Sequence, residues 1–293
     1  MVNEYLWRDI LWSVERGTKL VFVGDPHQLE PIGPGKPFAD MIKLGFPAVT
    51  LRKNYRNDST ILALAKAILK EDIAPALLEQ RGITYIPCET VDETKEKLIQ
   101  VYEEKQRKYP IISMYREEFS LGIDQLNPFM KQRINPNGSE FGMGKDDPVI
   151  QTCNTPQVDN GEVGIIQDFR PIQKSRIAFG PAKEVTYTLE EMLNNLELAY
   201  AITTTKTQGS QYEGVIIPLL DIRQELPHRH SMWYKNSLYT AITRAQRELV
   251  LIGDLNELID GVKRKGTVRK TQLAQRIQNF FGEKNPSPDK IKP

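Results

Sequence analysis

The chain has 293 residues, of which 40% are hydrophobic and 26% charged, with a formal net charge of +1. That length allows two domains, the composition is that of an ordinary soluble globular protein, and the charge excludes a global basic field, so any nucleic-acid site must be a local groove. Cys88 and Cys153 stand apart without CxxC spacing, which argues against a disulfide framework or zinc site and reads as buried thiols in a reducing cytoplasm. No apolar run approaches the ~20 residues of a membrane span, and the opening residues carry a mixed helical pattern rather than a signal peptide.

Tyr5, Leu6, Ile10, Leu11 and Val14 fall at helical spacing, with Gly17 as a stop. Residues 19–23 read as a buried strand running directly into Gly24-Asp25-Pro26-His27-Gln28-Leu29, a loop at a sheet edge. A short helix over residues 37–44 and a strand over 48–51 follow, and Asn54-Tyr55-Arg56-Asn57 closes that unit. Asp58 or Ser59 caps a helix carrying Ile61, Leu62, Ala65, Ile68 and Leu69 on one side. Residues 83–86 and 110–114 read as strands, Thr90 and Glu93 have capping-box spacing at the head of the helix between them, and another helix runs through Leu126, with Pro128 as a kink.

Alternating strands and helices predict a parallel sheet. From Asn135 to about Thr188 the pattern changes to short runs rich in Val, Ile, Thr, Phe and Tyr between Gly, Pro, Asn and Asp turns. Candidate strands at 149–152, 163–169, 176–179 and 184–187 predict a small antiparallel barrel inserted into the parallel sheet. The α/β pattern resumes at Leu189, with a buried strand over 196–202, another over 215–220, a helix over 239–246 and a strand over 249–252. From Val262 onward nine Lys and Arg stand against Glu283 and Asp289, a solvated basic tail in which Leu273, Ile277, Phe280 and Phe281 are spaced for one short docked helix.

The stretch Ala201-Ile202-Thr203-Thr204-Thr205-Lys206-Thr207-Gln208-Gly209-Ser210-Gln211 is the most informative. A strand ending in hydroxyls, a cation and a glycine places polar groups at the carboxyl edge of a sheet, where ligands bind in open α/β folds. Hydroxyls, backbone N–H groups and lysine suit phosphate oxygens of a nucleotide or a nucleic-acid backbone. A polar turn between two strands fits this stretch equally well when it is taken alone.

Four stretches in order resemble one family. Gly24 to Pro31 resembles the GDxxQLxP loop of superfamily 1 helicases, and Leu51-Arg52-Lys53-Asn54-Tyr55-Arg56 resembles the next motif, built on a tyrosine–arginine pair. Thr203 to Tyr212 resembles T-x-H-K-S-Q-G-S-E-F, and Leu238-Tyr239-Thr240-Ala241-Ile242-Thr243-Arg244-Ala245 resembles Y-T-A-x-T-R-A. Leu126-Asn127 with Asn135-Pro136, Asn160-Gly161-Glu162-Val163-Gly164 and Leu198-Ala199-Tyr200-Ala201 are similar to the RecD/Dda group, exodeoxyribonuclease V alpha chain and its relatives. The resemblance implies RecA-like parallel sheets with an inserted SH3-like barrel. The implied layout is the end of a first RecA-like domain over 1–52, a second over 53–137 and 191–262, the barrel over 138–190 and the basic tail over 263–293.

It further implies ATP hydrolysis with Mg²⁺ and 5′ to 3′ movement on single-stranded DNA. Arg56, Arg244 and Gln28 match catalytic positions; guanidinium suits a triphosphate because its fork is planar and permanently charged, and the Gln28 amide can both donate and accept. Gly24, Asp25, Gln28, Tyr55, Arg56, Gly209, Gln211 and Arg244 are implied to contact nucleotide, and Ser113, Asn160, Thr203, Thr205 and Lys206 to contact DNA. Thr205 stands where the family has His, Thr207 where it has Ser and Gln211 where it has Glu.

A phosphate loop G-x-x-x-x-G-K-[ST] is missing, since Gly35-Lys36 is followed by Pro37 and Gly144-Lys145 by Asp146. The acidic pair that holds Mg²⁺ in the family would fall before residue 1, so the chain reads as the C-terminal portion of a helicase. The expected partners are single-stranded DNA, the missing first half of the first domain and other repair or recombination subunits, with no membrane. A non-catalytic nucleic-acid-binding subunit and a viral superfamily 1 RNA helicase are the alternative readings.

Overall fold

The computed structural model describes residues 2–51, 53–54, 57–117, 119–137, 141–266, 269 and 271–284. The chain forms two compact units, one of residues 1–55 with 265–293, the other of residues 56–264.

The first unit is helical where it is regular. Asn3 accepts from the Leu6 amide and starts α1 (Glu4–Ser13). Pro37 opens α2 (Pro37–Lys43), where its missing N–H costs nothing. The tail contributes α9 (Leu273–Lys284), which packs against α2. The docked helix expected in the tail is therefore present. Residues 19–23 and 48–51, expected as strands, form none. Phe22 packs on Trp7 with ring centroids 4.2 Å apart, but Val21 and Val23 are 80% and 89% exposed, and Val49 and Leu51 are equally bare. A strand needs neighbours for its N–H and C=O groups, and among the described residues of this unit no strand is present to supply them.

The second unit holds two sheets. The first contains β1 (Ile83–Pro87), β2 (Ile111–Ser113), β8 (Ala201–Thr203), β9 (Tyr212–Leu219) and β10 (Ala245–Gly253). Its order is β1-β10-β9-β2-β8, and every pairing is parallel. Val215, Ile216, Ile217, Leu249, Leu251 and Ile252 are fully buried, as expected for strands covered on both faces. The covering helices are α3 (Ser59–Lys70), α4 (Val91–Glu104), α5 (Ile123–Ile134), α7 (Lys235–Ile242) and α8 (Leu255–Lys263). Asp58 caps α3 through the Thr60 amide and Thr90 caps α4 through the Glu93 amide.

The second sheet contains β3 (Pro148–Gln151), β4 (Val163–Asp168), β5 (Ser175–Ala178), β6 (Glu184–Tyr187) and β7 (Leu196–Leu198), in the order β6-β5-β4-β3-β7 and antiparallel throughout. It curls around its own core of Val149, Ile166, Ile177, Tyr187 and Met192. β6 and β7 are its edges, and closure of an SH3-like barrel is not among its pairings. The expected single strand over 196–202 is two strands: β7 pairs with β3 in this sheet, and β8 pairs with β2 in the parallel one. Only Ala199 and Tyr200 separate them, and α6 (Leu189–Asn195) precedes them.

One buried carboxylate anchors both passages between the sheets. Asp147 is fully buried; its Oδ2 lies 2.6 Å from the Lys131 ammonium of α5 and accepts from the Gly144 amide, while its Oδ1 accepts from Asn135 and from the Tyr200 hydroxyl. Burial, and then Asp147 itself, push the Tyr200 phenol far above its ordinary pKa, so it stays a donor. Removing one partner of such a pair costs about 3–5 kcal/mol, because the other charge is left buried alone.

Candidate nucleic-acid and nucleotide site

The carboxyl edge of the parallel sheet begins where β8 ends. Thr204 is fully buried, and both its amide and its hydroxyl donate to the Ser113 carbonyl at the end of β2. Thr207, also buried, donates to the Thr204 carbonyl at 2.7 Å. These two threonines fix the loop from beneath and leave Thr203, Thr205 and Lys206 partly exposed along it. The Lys206 ammonium lies 2.6 Å from Asn160 Oδ1, so the turn between β3 and β4 reaches the same loop. Gly209, at φ +92°, makes the left-handed turn that sends the chain back into β9.

Ser113 is a correction. It is 1% exposed, its hydroxyl donates to the Leu121 carbonyl at 2.8 Å and accepts from the Tyr115 amide. It shapes the turn under the polar edge and presents no hydroxyl on it.

Arg244 follows α7 and is 5% exposed. Its Nε donates to the Thr240 carbonyl at 3.0 Å, and one terminal nitrogen donates to the carbonyls of Thr207 at 3.3 Å and Ser210 at 3.1 Å. These acceptors are neutral, and a phosphate oxygen is a stronger partner for guanidinium. Gln211 accepts from Gln246 at 3.2 Å, tying the end of the same loop to β10. Arg244, Gly209, Gln211, Thr203, Thr205, Lys206 and Asn160 therefore form one connected polar region in the second unit.

Sequence reasoning missed Asn57. Its side-chain amide donates to the carbonyls of Thr243 at 3.1 Å and Ala245 at 2.6 Å, one on each side of Arg244, and the Asp58 amide donates to Gln246. Partners 186 and 188 residues away leave no local signal. Tyr55 and Arg56, immediately before it, lie outside the described residues, as does Arg52. Also missed was a cleft of about 530 Å³ lined by Tyr115, Arg116, His228, His230 and Met232. It sits where the chain leaves β2 toward β8 and leaves β9 toward β10, the switch point of the sheet. Burial pushes the Tyr115 phenol up to about 12, and it bonds Ser231 and the Met232 amide there.

In the first unit, Asp25 organises the loop that carries Gln28. Its side chain accepts from the His27 amide at 2.9 Å and from the Gln28 side-chain amide at 3.4 Å, and its carbonyl accepts from the Gln28 backbone. Gly24 sits against the Phe38 ring, where a Cβ would come within 3.1 Å.

The second unit thus has a five-stranded parallel sheet with a threonine–lysine loop at its carboxyl edge, an arginine bonded to that loop and an antiparallel sheet inserted between strands, an α/β arrangement of the kind the sequence resemblance implies. Comparison with known proteins specifies the class further. The family described as UvrD-like helicase C-terminal domain matches residues 198–252, and that described as AAA domain matches residues 1–86. The chain is 26% identical over 287 residues to the ATP-dependent RecD2 DNA helicase of Deinococcus radiodurans, covering 95% of this chain and 38% of that protein. It is 27% identical over 305 residues to the RecBCD enzyme subunit RecD of Mycolicibacterium smegmatis, covering 95% and 52%. The structure of Pif1 helicase from Bacteroides in complex with ADP-AlF3 and ssDNA superimposes with a TM-score of 0.41 at 14% identity, covering 89% of this chain and 66% of that one. In sequence the chain is thus similar to RecD-type helicases of superfamily 1. It spans about half or less of the length of these two curated relatives. Among the described residues no helix is long and apolar enough to cross a membrane.

Proposed function

We propose that this chain is the C-terminal portion of an ATP-dependent DNA helicase that moves 5′ to 3′ on single-stranded DNA. Thr203, Thr205, Lys206 and Asn160 line the strand's path, with Ser113 beneath it. Arg244 and Arg56 reach the triphosphate, Gln28 senses its γ-phosphate, and Gly24, Asp25, Tyr55, Gly209 and Gln211 complete the nucleotide contacts. Mg²⁺ accompanies ATP and is held by residues upstream of this chain. Those residues also supply the phosphate loop and the strands that cover Val21, Val23, Val49 and Leu51. The inserted antiparallel sheet acts as the SH3-like element of the family, within the domain limits given by the sequence.

One observation carries the reading. The Arg244 guanidinium is hydrogen-bonded to carbonyls of the loop that also presents Lys206, so one short segment answers both to the arginine and to the proposed DNA path. Transfer of the arginine to a phosphate would withdraw its hydrogen bonds from Thr207 and Ser210 and alter that loop.

Residues 1–293 alone bind ATP weakly and do not hydrolyse it, because the backbone cradle, a lysine and Mg²⁺ supply most of the binding. In the longer natural protein, Arg244→Ala lowers DNA-stimulated turnover by roughly 10³-fold, with a smaller loss in nucleotide affinity. Lys206→Ala there weakens single-strand binding and reduces its salt slope by about 1. Steady-state ATPase assays and oligonucleotide anisotropy at several salt concentrations measure both. Hydrolysis by residues 1–293 alone, or an unaltered turnover in Arg244→Ala, would remove the proposal.

A further inference from the structure

The chain crosses between its compact units after residue 55 and again after residue 264. On returning to the first unit it lays Arg269 on the loop that follows Gln28. Arg269 Nε lies 2.6 Å from Glu30 Oε2, and one terminal nitrogen donates to the Gly35 carbonyl at 3.0 Å and to the Gly33 carbonyl. Gly33 and Gly35 both have positive φ, +100° and +76°, a conformation L side chains rarely adopt, and both carbonyls face the one guanidinium.

The other side of this loop is held by the start of the chain. Asn3 donates to the Ile32 carbonyl at 3.0 Å, and the Glu4 amide donates to the Pro34 carbonyl at 2.9 Å. The loop then runs into α2, against which α9, the helix just after Arg269, is packed. A segment distant in sequence thus grips the loop at Glu30, Gly33 and Gly35, beginning two residues beyond Gln28. The arginine fork satisfies a carboxylate and two carbonyls together; a lysine ammonium lacks that planar geometry.

We propose that Arg269 is a positioning residue for Gln28: the C-terminal segment is a working part of the nucleotide-sensing loop and not a solvated tail. This rests on the reading of Gln28 as the γ-phosphate contact. Removing Arg269 leaves Glu30 without this cation and both glycine carbonyls without this donor, and the loop drifts. Misplacement by about 1 Å of a group aimed at reacting atoms lowers turnover without an equal loss of binding.

The test uses the longer protein of the proposed function, which carries this region. Hydrogen exchange at the amides of residues 27–36 and DNA-stimulated ATP hydrolysis are measured in Arg269→Ala, Arg269→Lys, Glu30→Gln and the charge swap Arg269→Glu with Glu30→Arg. In Arg269→Ala, exchange in this loop rises by about 10-fold or more, and kcat falls roughly 10- to 100-fold with KM for ATP within about twofold. Arg269→Lys recovers part of the loss, and the charge swap recovers more than either single reversal alone. Should Arg269→Ala not fold, Glu30→Gln carries the test with a smaller change in the same direction. Wild-type exchange and wild-type kcat in Arg269→Ala, or in Glu30→Gln if that variant must replace it, would overturn the assignment. If the wild-type protein hydrolyses no ATP while Arg269→Ala still loosens the loop, the helicase reading falls and the grip of Arg269 stands. If hydrolysis is normal and Arg269→Ala changes nothing, the helicase reading stands and this assignment falls.

Discussion

Residues 19–23, Lys-Leu-Val-Phe-Val, and residues 249–252, Leu-Val-Leu-Ile, are nearly interchangeable as sequence, yet the molecule treats them in opposite ways. The second lies in β10 between β1 and β9 and is at most 1% exposed. The first belongs to no strand and leaves Val21 and Val23 facing solvent. Fully burying a valine is worth about 1.5–3 kcal/mol, which a segment collects only when something covers it. A strand is thus a property of a run together with its neighbours. Under the proposed function, the bare face in the first unit is the face that upstream residues would cover.

The contrast is sharpest in hydrogen exchange. In residues 1–293 the amides of 249–252 should exchange about 10³-fold or more slowly than those of 19–23, whose backbone lacks strand partners. In the longer protein of the proposed function the two stretches should converge. Residues 19–23 left unprotected there would show that the covering strands do not exist.

A pair of truncations probes the same difference through stability. Leu251→Ala should cost about 2–5 kcal/mol, while Val21→Ala should stay within about 0.5 kcal/mol in residues 1–293. Urea unfolding followed by circular dichroism compares them. Equal losses would mean that Val21 is covered in solution and the contrast is false.

The smallest effect lies in the antiparallel sheet. A hydrogen bond from Lys183, and then one from the Asp159 amide, hold the Glu162 carboxyl below its ordinary pKa. A carboxyl so lowered contributes stability fully above its unfolded value of about 4.3, and loses it as pH falls through the lower folded value. Glu162→Gln should therefore match wild type in acid and fall below it near neutrality by under about 1 kcal/mol, since the pair is about one third exposed. A deficit of the same size at every pH would assign the loss to packing.

Legibility in the sequence followed the range of the interactions. The caps at Asp58 and Thr90 are local and were readable from side-chain type alone. The strands β1, β4, β6 and β9 were readable because each is bounded by turn residues. Residues 196–202 read as one strand because nothing local marks a change of sheet; the change is made by the partners of β7 and β8. The predicted helix over 239–246 ends at Ile242 as α7, and β10 already begins at Ala245, where Tyr212 pairs with it. At the candidate site, Thr203, Thr205 and Lys206 were legible as a polar strand end. The burial of Ser113 and the reach of Asn57 were not, because both depend on segments far along the chain.

The two-residue passage at Ala199 and Tyr200 makes chain length a shared coordinate of both sheets. Inserting or deleting one residue there would turn every side chain of either β7 or β8 to the opposite face, since strand side chains alternate with a period of two. It would also pull the Tyr200 hydroxyl from Asp147 or Thr203 from the edge where Lys206 meets Asn160. Substitution at this point is a matter of fit, but a change of length is a change of register in two sheets at once. Engineered linkers, tags or recombination breakpoints should be tolerated in the exposed turn around Ile172 and rejected here.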